Sequence, residues 1–185
     1  MPDLTRLLGR PVLDVNGRRV GRLIDLVACA EGESPYREVI SLVVKQGRTT
    51  LDVPFSAVAV FDAPAIPLNR PLEALAPHGP HSGGLCLAED LLGKEVCDRK
   101  SGRAIRIGDV GLLEARNRLW ATTVKDGGRR IPKAWTANAL VRGALARLGR
   151  RPVGRAIPWS DVEWISGSPM AETTPGPEMA GRAQE

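Results

Sequence analysis

"LLGRPVLDVNGRRVGRLIDL" (Leu7–Leu26) is nearly respelled far along the chain as "LLGKEVCDRKSGRAIRIGDV" (Leu91–Val110). Leu7, Leu8, Gly9, Val12, Asp14 and Asp25 return 84 positions later as Leu91, Leu92, Gly93, Val96, Asp98 and Asp109. Self-similarity at a fixed spacing is the signature of a duplicated unit. The copies differ mainly at the turn, where change is tolerated because turns face solvent. Each phrase reads as a β-hairpin. "PVLDV" is a short β-prone run, Asn16-Gly17 suits the positive φ of a tight type I′ turn, and "RRVGRLIDLVA" returns as the second strand. In the second copy Ile105 and Ile107 alternate with Arg106, the period of a strand with one wet face.

Both copies continue alike. "REVISLVVK" is a strand with Ile40, Leu42 and Val44 on one face. A turn at Gln46-Gly47 leads into "TTLDVPFSAVAVF", which bends at Pro54 because proline interrupts a ladder. In the second copy "RLWATTV" is the third strand, Asp126-Gly127-Gly128 a turn, and "IPWSDVEWI" the close. Pro54, Phe55, Ser56 and Val58 match Pro158, Trp159, Ser160 and Val162, but at a spacing of 104. The surplus falls in "KAWTANALVRGALARLGRR", a helix over about 133–148 with Val141, Leu145 and Leu148 on one face and Gly149 as its stop. Between the copies, 63–88 is rich in Pro, Gly and Ala and reads as a linker with little regular structure. The tail, 166–185, has the composition of a disordered segment.

The bulk properties set outer bounds. A chain of 185 residues, 43% hydrophobic and 25% charged, is an ordinary globular protein of one domain or two small ones. Aromatics at 4% make the core aliphatic, and 15 prolines with 20 glycines favour short strands and many turns. The net charge of +5 permits contact with nucleic acid, anionic lipid or an acidic protein surface without choosing among them. No apolar run is long enough to cross a membrane and no secretory signal opens the chain, so the cytoplasm is the expected compartment. The cysteines, Cys29, Cys86 and Cys97, are odd in number and form no CxxC, which argues against a disulfide framework.

Chemistry is sparse. The repeated carboxylates Asp14, Asp25, Asp98 and Asp109 have the residue type of a cation site, but each follows a β-run near a turn, where aspartate caps backbone amides. His78 and His81, with Cys86, have soft-metal donor types but sit in the linker and read as loop residues. With no other histidines, no Walker A motif and no GxGxxG, the chain offers no catalytic group, cofactor or metal ligand to name. Basic clusters at Arg18, Arg19 and Arg22, at Arg99, Lys100, Arg103 and Arg106, and at Arg147, Arg150, Arg151 and Arg155 are candidate contacts. So are Trp120 and Trp164, and the contact between copies is to be sought among the aromatics, Leu113 and the helix.

The phrase "LLGxxVxDxxGxxVGxVxD", present as Leu7–Asp25 and more loosely as Leu91–Asp109, resembles the PRC-barrel family. That resemblance implies a small, strongly bent β-barrel. It occurs in the reaction-centre H subunit, in the ribosome-maturation factor RimM and in stand-alone bacterial proteins. It therefore implies a mainly β fold of two tandem small PRC-like barrels, 1–62 and 89–165, the second with an inserted α-helix. The two-copy layout looks most like the soluble N-terminal region of MgtE-type magnesium transporter homologues. The expectation is a non-enzymatic interaction or assembly module, self-associating or docked on a protein partner such as a membrane transporter. The alternative is an RNA-binding or ribosome-maturation factor related to RimM.

Overall fold

The structure, a computed structural model, describes residues 1–30, 34–75, 84–127 and 154–164. The chain is mainly β. Its strands are β1 (Pro11–Leu13), β2 (Arg19–Cys29), β3 (Arg37–Gln46), β4 (Thr49–Pro54), β5 (Ile66–Pro67), β6 (Gly84–Cys86), β7 (Glu95–Asp98), β8 (Arg103–Ala115), β9 (Arg118–Asp126), β10 (Ala156–Pro158) and β11 (Val162–Trp164). They form one curled sheet in the order β11-β7-β8-β9-β3-β2-β1-β5, with β10 on β9, β4 on β3 and β6 on β2.

The pairing registers recur. β2 and β3 pair Leu23 with Val44, Asp25 with Val43, Leu26 with Leu42, Val27 with Ser41 and Ala28 with Val39. β8 and β9 pair Ile107 with Asp126, Asp109 with Lys125, Val110 with Val124, Gly111 with Thr123 and Leu112 with Ala121. Even the two irregularities fall at matching places, between Leu23 and Asp25 and between Ile107 and Asp109, then between Val27 and Ala28 and between Gly111 and Leu112. β4 meets β3 through Pro54 opposite Ser41, as β10 meets β9 through Pro158 opposite Thr123. Each proline starts a one-turn 3₁₀ segment, Phe55–Ala57 or Trp159–Asp161, since it cannot extend the ladder.

The halves join through backbone. Arg37, Glu38 and Val39 of β3 pair antiparallel with Ala121, Trp120 and Leu119 of β9. Leu4, Leu7, Val12, Leu26 and Phe61 share one continuous buried cluster with Leu91, Val96, Val110, Ile157 and Trp159. Phe55 stacks edge-on with Phe61, and Trp159 packs against Trp164, each within its own half. Of the groups expected at the join, Trp120 lies there.

Several local expectations are revised. The hairpin at Asn16-Gly17 is not type I′: Gly17 has φ of +76° but Asn16 does not enter the left-handed region. The Asp14 carboxylate instead accepts the amides of Asn16 and Arg18 at 2.9 and 2.8 Å, closing a wider loop. Arg116 and Asn117, with φ of 53° and 58°, make a two-residue turn of positive φ between β8 and β9. Ile40 does not share the buried face of Leu42 and Val44. β2 pairs with Ser41 and then Val39, so Ile40 sits in a bulge and is 44% exposed.

The stretch 63–88 holds more regular structure than its composition suggested. Within it β5 pairs parallel with β1 and β6 pairs antiparallel with β2, and Ile66, Leu68, Leu85 and Leu87 are buried. Strand edges need partners, and these short runs supply them. The helix expected over 133–148, the tail, His78, His81, Arg147, Arg150 and Arg151 lie outside the described residues.

Candidate functional site

Two carboxylates tie the halves together by exchange. Asp25, on β2, accepts the amides of Leu26 at 2.7 Å, Ala88 at 2.6 Å and Glu89 at 2.9 Å. Ala88 and Glu89 belong to the helical turn Leu87–Leu91 that leads into the second half. Asp109, on β8, accepts the amide of Val110 at 2.8 Å, and both the amide (3.0 Å) and the hydroxyl of Thr5. Thr5 lies in the short helix α1 (Leu4–Leu7), which leads into the first half. Each half's leading segment is thus capped by the other half's aspartate. Backbone pairing follows the same exchange. β6 lies on β2, while Asp3 bridges Gly111 and Pro2 accepts the amide of Leu112 at 3.0 Å. Lys125 pairs with Asp3 at 2.6 Å, fixing the first segment further.

The four repeated aspartates differ electrostatically. Burial pushes Asp109 above the ordinary carboxylate range, more than Thr5 and the Val110 amide pull it down. Burial also acts to raise Asp14, but the amides of Arg18, Leu72 and Asn16 and the Arg18 charge outweigh it, so Asp14 lies below the ordinary value. Asp98 is lowered chiefly by the Ser101 hydroxyl, against a burial effect of opposite sign, with help from the Lys100 amide and Arg155.

Beside Asp25 the fold brings in Cys86 and Glu89. One ligand-capable atom from each of the three lies within 4.8 Å of the others. Asp25 is buried, Cys86 half-buried and Glu89 exposed, so this trio is open on one side. Burial pushes the Cys86 thiol up to about 12, reinforced by the negative charges of Asp25, Asp90, Glu89 and Asp52. Sequence reading set Cys86 beside His78 and His81 and missed this trio, because Asp25 and Glu89 come together only through the exchange.

A second feature is the outward face at the β3–β9 join. Trp120 stands opposite Glu38 on one side and Leu113 on the other, so all three side chains leave the sheet on the same face. Leu113 is 39% exposed, Tyr36, just before β3, is 41% exposed, and bulged Ile40 adds to the apolar surface. Arg118 pairs with Glu38 at 3.3 Å beside Trp120.

The other named residues are dispersed. Arg18 is exposed and paired with Glu73 at 3.0 Å, Arg19 is exposed at the start of β2, and half-buried Arg22 donates to the Gly9 carbonyl at 2.9 Å. They occupy the hairpin end of β2, whereas Trp120 lies beyond its opposite end, across β3. Trp164, on β11, is half-buried against Trp159 with ring centres 6.0 Å apart.

No helix among the described residues is long and apolar enough to cross a membrane. No family model matches the chain. Among curated proteins it is similar to the 4-hydroxy-tetrahydrodipicolinate reductase of Pseudomonas fluorescens (strain Pf0-1), 29% identical over 120 residues. The matched stretch is 65% of this chain and 42% of the reductase, so the chain spans less than half the length of that relative.

Proposed function

We propose that the chain is a non-enzymatic assembly module of the cytoplasm: two small PRC-like barrels, interlocked by their leading segments, that dock protein through the outward face of the β3–β9 join. The carrying observation is the apolar surface of Tyr36, Ile40 and Leu113 around half-buried Trp120. An apolar group of this kind with a polar edge is typical of an interaction face. A second copy of the chain is the partner it suits best. Glu38 and Arg118 neutralise each other beside Trp120, so a second copy can meet the apolar group across a two-fold axis without like-charge repulsion. The PRC resemblance adds a role as accessory or regulatory unit of a membrane transporter, built on the same paired barrels. The RNA-binding alternative draws less support, because Arg18 and Arg106 are engaged with Glu73 and Glu95. The reductase similarity covers too little of that enzyme to bring its activity here.

Sedimentation equilibrium of the full chain tests the reading. The wild type is expected to dimerise with little dependence on salt, and Ile40→Asp with Leu113→Asp to be monomeric while keeping its β-sheet circular dichroism. A wild type that stays monomeric across the accessible concentration range overturns self-association. Retention of RNA that falls steeply with salt would turn the assignment to nucleic acid.

A further inference from the structure

We propose that Asp25, Cys86 and Glu89 form a binding site for a borderline-soft divalent cation of the zinc type, each residue giving one ligand atom. Four-coordinate zinc takes cysteine sulfur at about 2.3 Å and carboxylate oxygen at about 2.0–2.2 Å, which sets ligand atoms roughly 3.5 Å apart. The trio, within 4.8 Å of one another, needs only a small closing movement. Glu89 is exposed and free to make it, and its exposure leaves an entry path and room for water as a further ligand.

Asp25 is already oriented for this role. Three amides hold its carboxylate, two on Oδ1 and one on Oδ2. Amides that fix a ligating carboxylate do what outer-shell partners do in metal sites. Asp90 accepts the Cys86 amide at 2.8 Å, and its charge, with that of Asp52, also acts on Cys86. The surroundings are therefore strongly negative. A sulfur donor selects zinc-like ions over magnesium or calcium, which take oxygen.

The other half supplies an internal control. Asp109 occupies the place of Asp25 and caps its segment equally well, but the positions matching Cys86 and Glu89 hold Pro2 and Thr5. Capping thus needs neither a thiol nor a second carboxylate. The first half carries donor atoms that its folding does not call for. On binding, the S–metal bond replaces the S–H bond and the proton leaves to solvent. No electron changes hands.

Cobalt titration of the full, chelator-treated chain is the test. We expect one equivalent to bind with a thiolate-to-cobalt charge-transfer absorption that zinc abolishes by displacement. Cys86→Ser should remove the absorption, and Glu89→Gln should weaken binding at least about tenfold, a loss typical of a disturbed metal site. Cys97→Ser should bind as the wild type does. Circular dichroism checks that each variant is folded. The proposal is overturned by absence of the absorption in the folded wild type, by its survival in Cys86→Ser, or by unchanged cobalt affinity in Glu89→Gln.

Discussion

The two halves solve the same problem with different residues. In both, a glycine of positive φ, Gly9 or Gly93, starts the hairpin, and its amide donates to Leu23 or Ile107 at 2.7 Å. In both, the long strand after the hairpin carries an aspartate, Asp25 on β2 or Asp109 on β8, that caps a segment from the opposite half. They part at the closing edge. β11 pairs antiparallel with β7 through Val162 opposite Asp98. In the first half Val58, the match of Val162, bridges Leu68 instead, and β5 pairs parallel with β1. Residues between the halves have been taken into the first one. The lesson is that matched backbone hydrogen bonding tolerates a change of closing strand, provided each exposed ladder still finds a partner.

The exchange makes the sharpest test of this comparison. Asp25→Ala leaves three amides without their acceptor, and Asp109→Ala leaves two amides and a hydroxyl. At roughly 1 kcal/mol or more for each buried group left unsatisfied, both variants should lose about 3 kcal/mol. Because the core is continuous, each should lower a single urea transition followed by fluorescence and circular dichroism. Two separated transitions would show that the halves unfold independently.

The carboxylates also predict opposite responses to pH. Asp14 is lowered when folded, so its contribution is present above the ordinary value of 3.8 and lost as pH falls through its folded value. Asp109 is raised, so its contribution is full below 3.8 and lost as pH rises through its folded value. Urea midpoints measured across the acid range should show the wild-type advantage over Asp14→Asn growing with pH. The advantage over Asp109→Asn should shrink. Parallel curves would remove the electrostatic distinction between a loop aspartate and one that caps the opposite half's segment.

The smallest effect concerns the hairpin loops. Gly17 and Gly102 have φ of +76° and +65°, and a Cβ at either meets nothing within 4 Å. Gly17→Ala and Gly102→Ala should each cost about 1 kcal/mol from backbone conformation alone. Asparagine, which tolerates this region better, should cost less. Thermal unfolding of the four variants would show whether the loops, unlike the closing edges, are equivalent.

Strand periodicity, the hairpin glycines and the paired prolines made most of the long strands legible. The capping role of aspartate was legible too, since Asp14 and Asp98 act within their own loops. The turn at Arg116-Asn117 was not, because it contains no glycine. Ile40 was misplaced because a bulge is set by the partner strand and not by the strand's own alternation. The Asp25–Cys86–Glu89 trio was hidden because Asp25 meets the other two only through long-range pairing of β2 with β6 and the turn after it.

The sequence by itself determined where chain segments extend, turn and bury a face, since those follow from side-chain period and backbone freedom within a few residues. Only the tertiary structure decided which half each leading segment serves. Asp109 and Thr5 stand 104 positions apart, and their hydrogen bonds form only when the two halves share one core. No local pattern encodes that choice. It is set by where a buried carboxylate and an unpaired helical turn can satisfy each other.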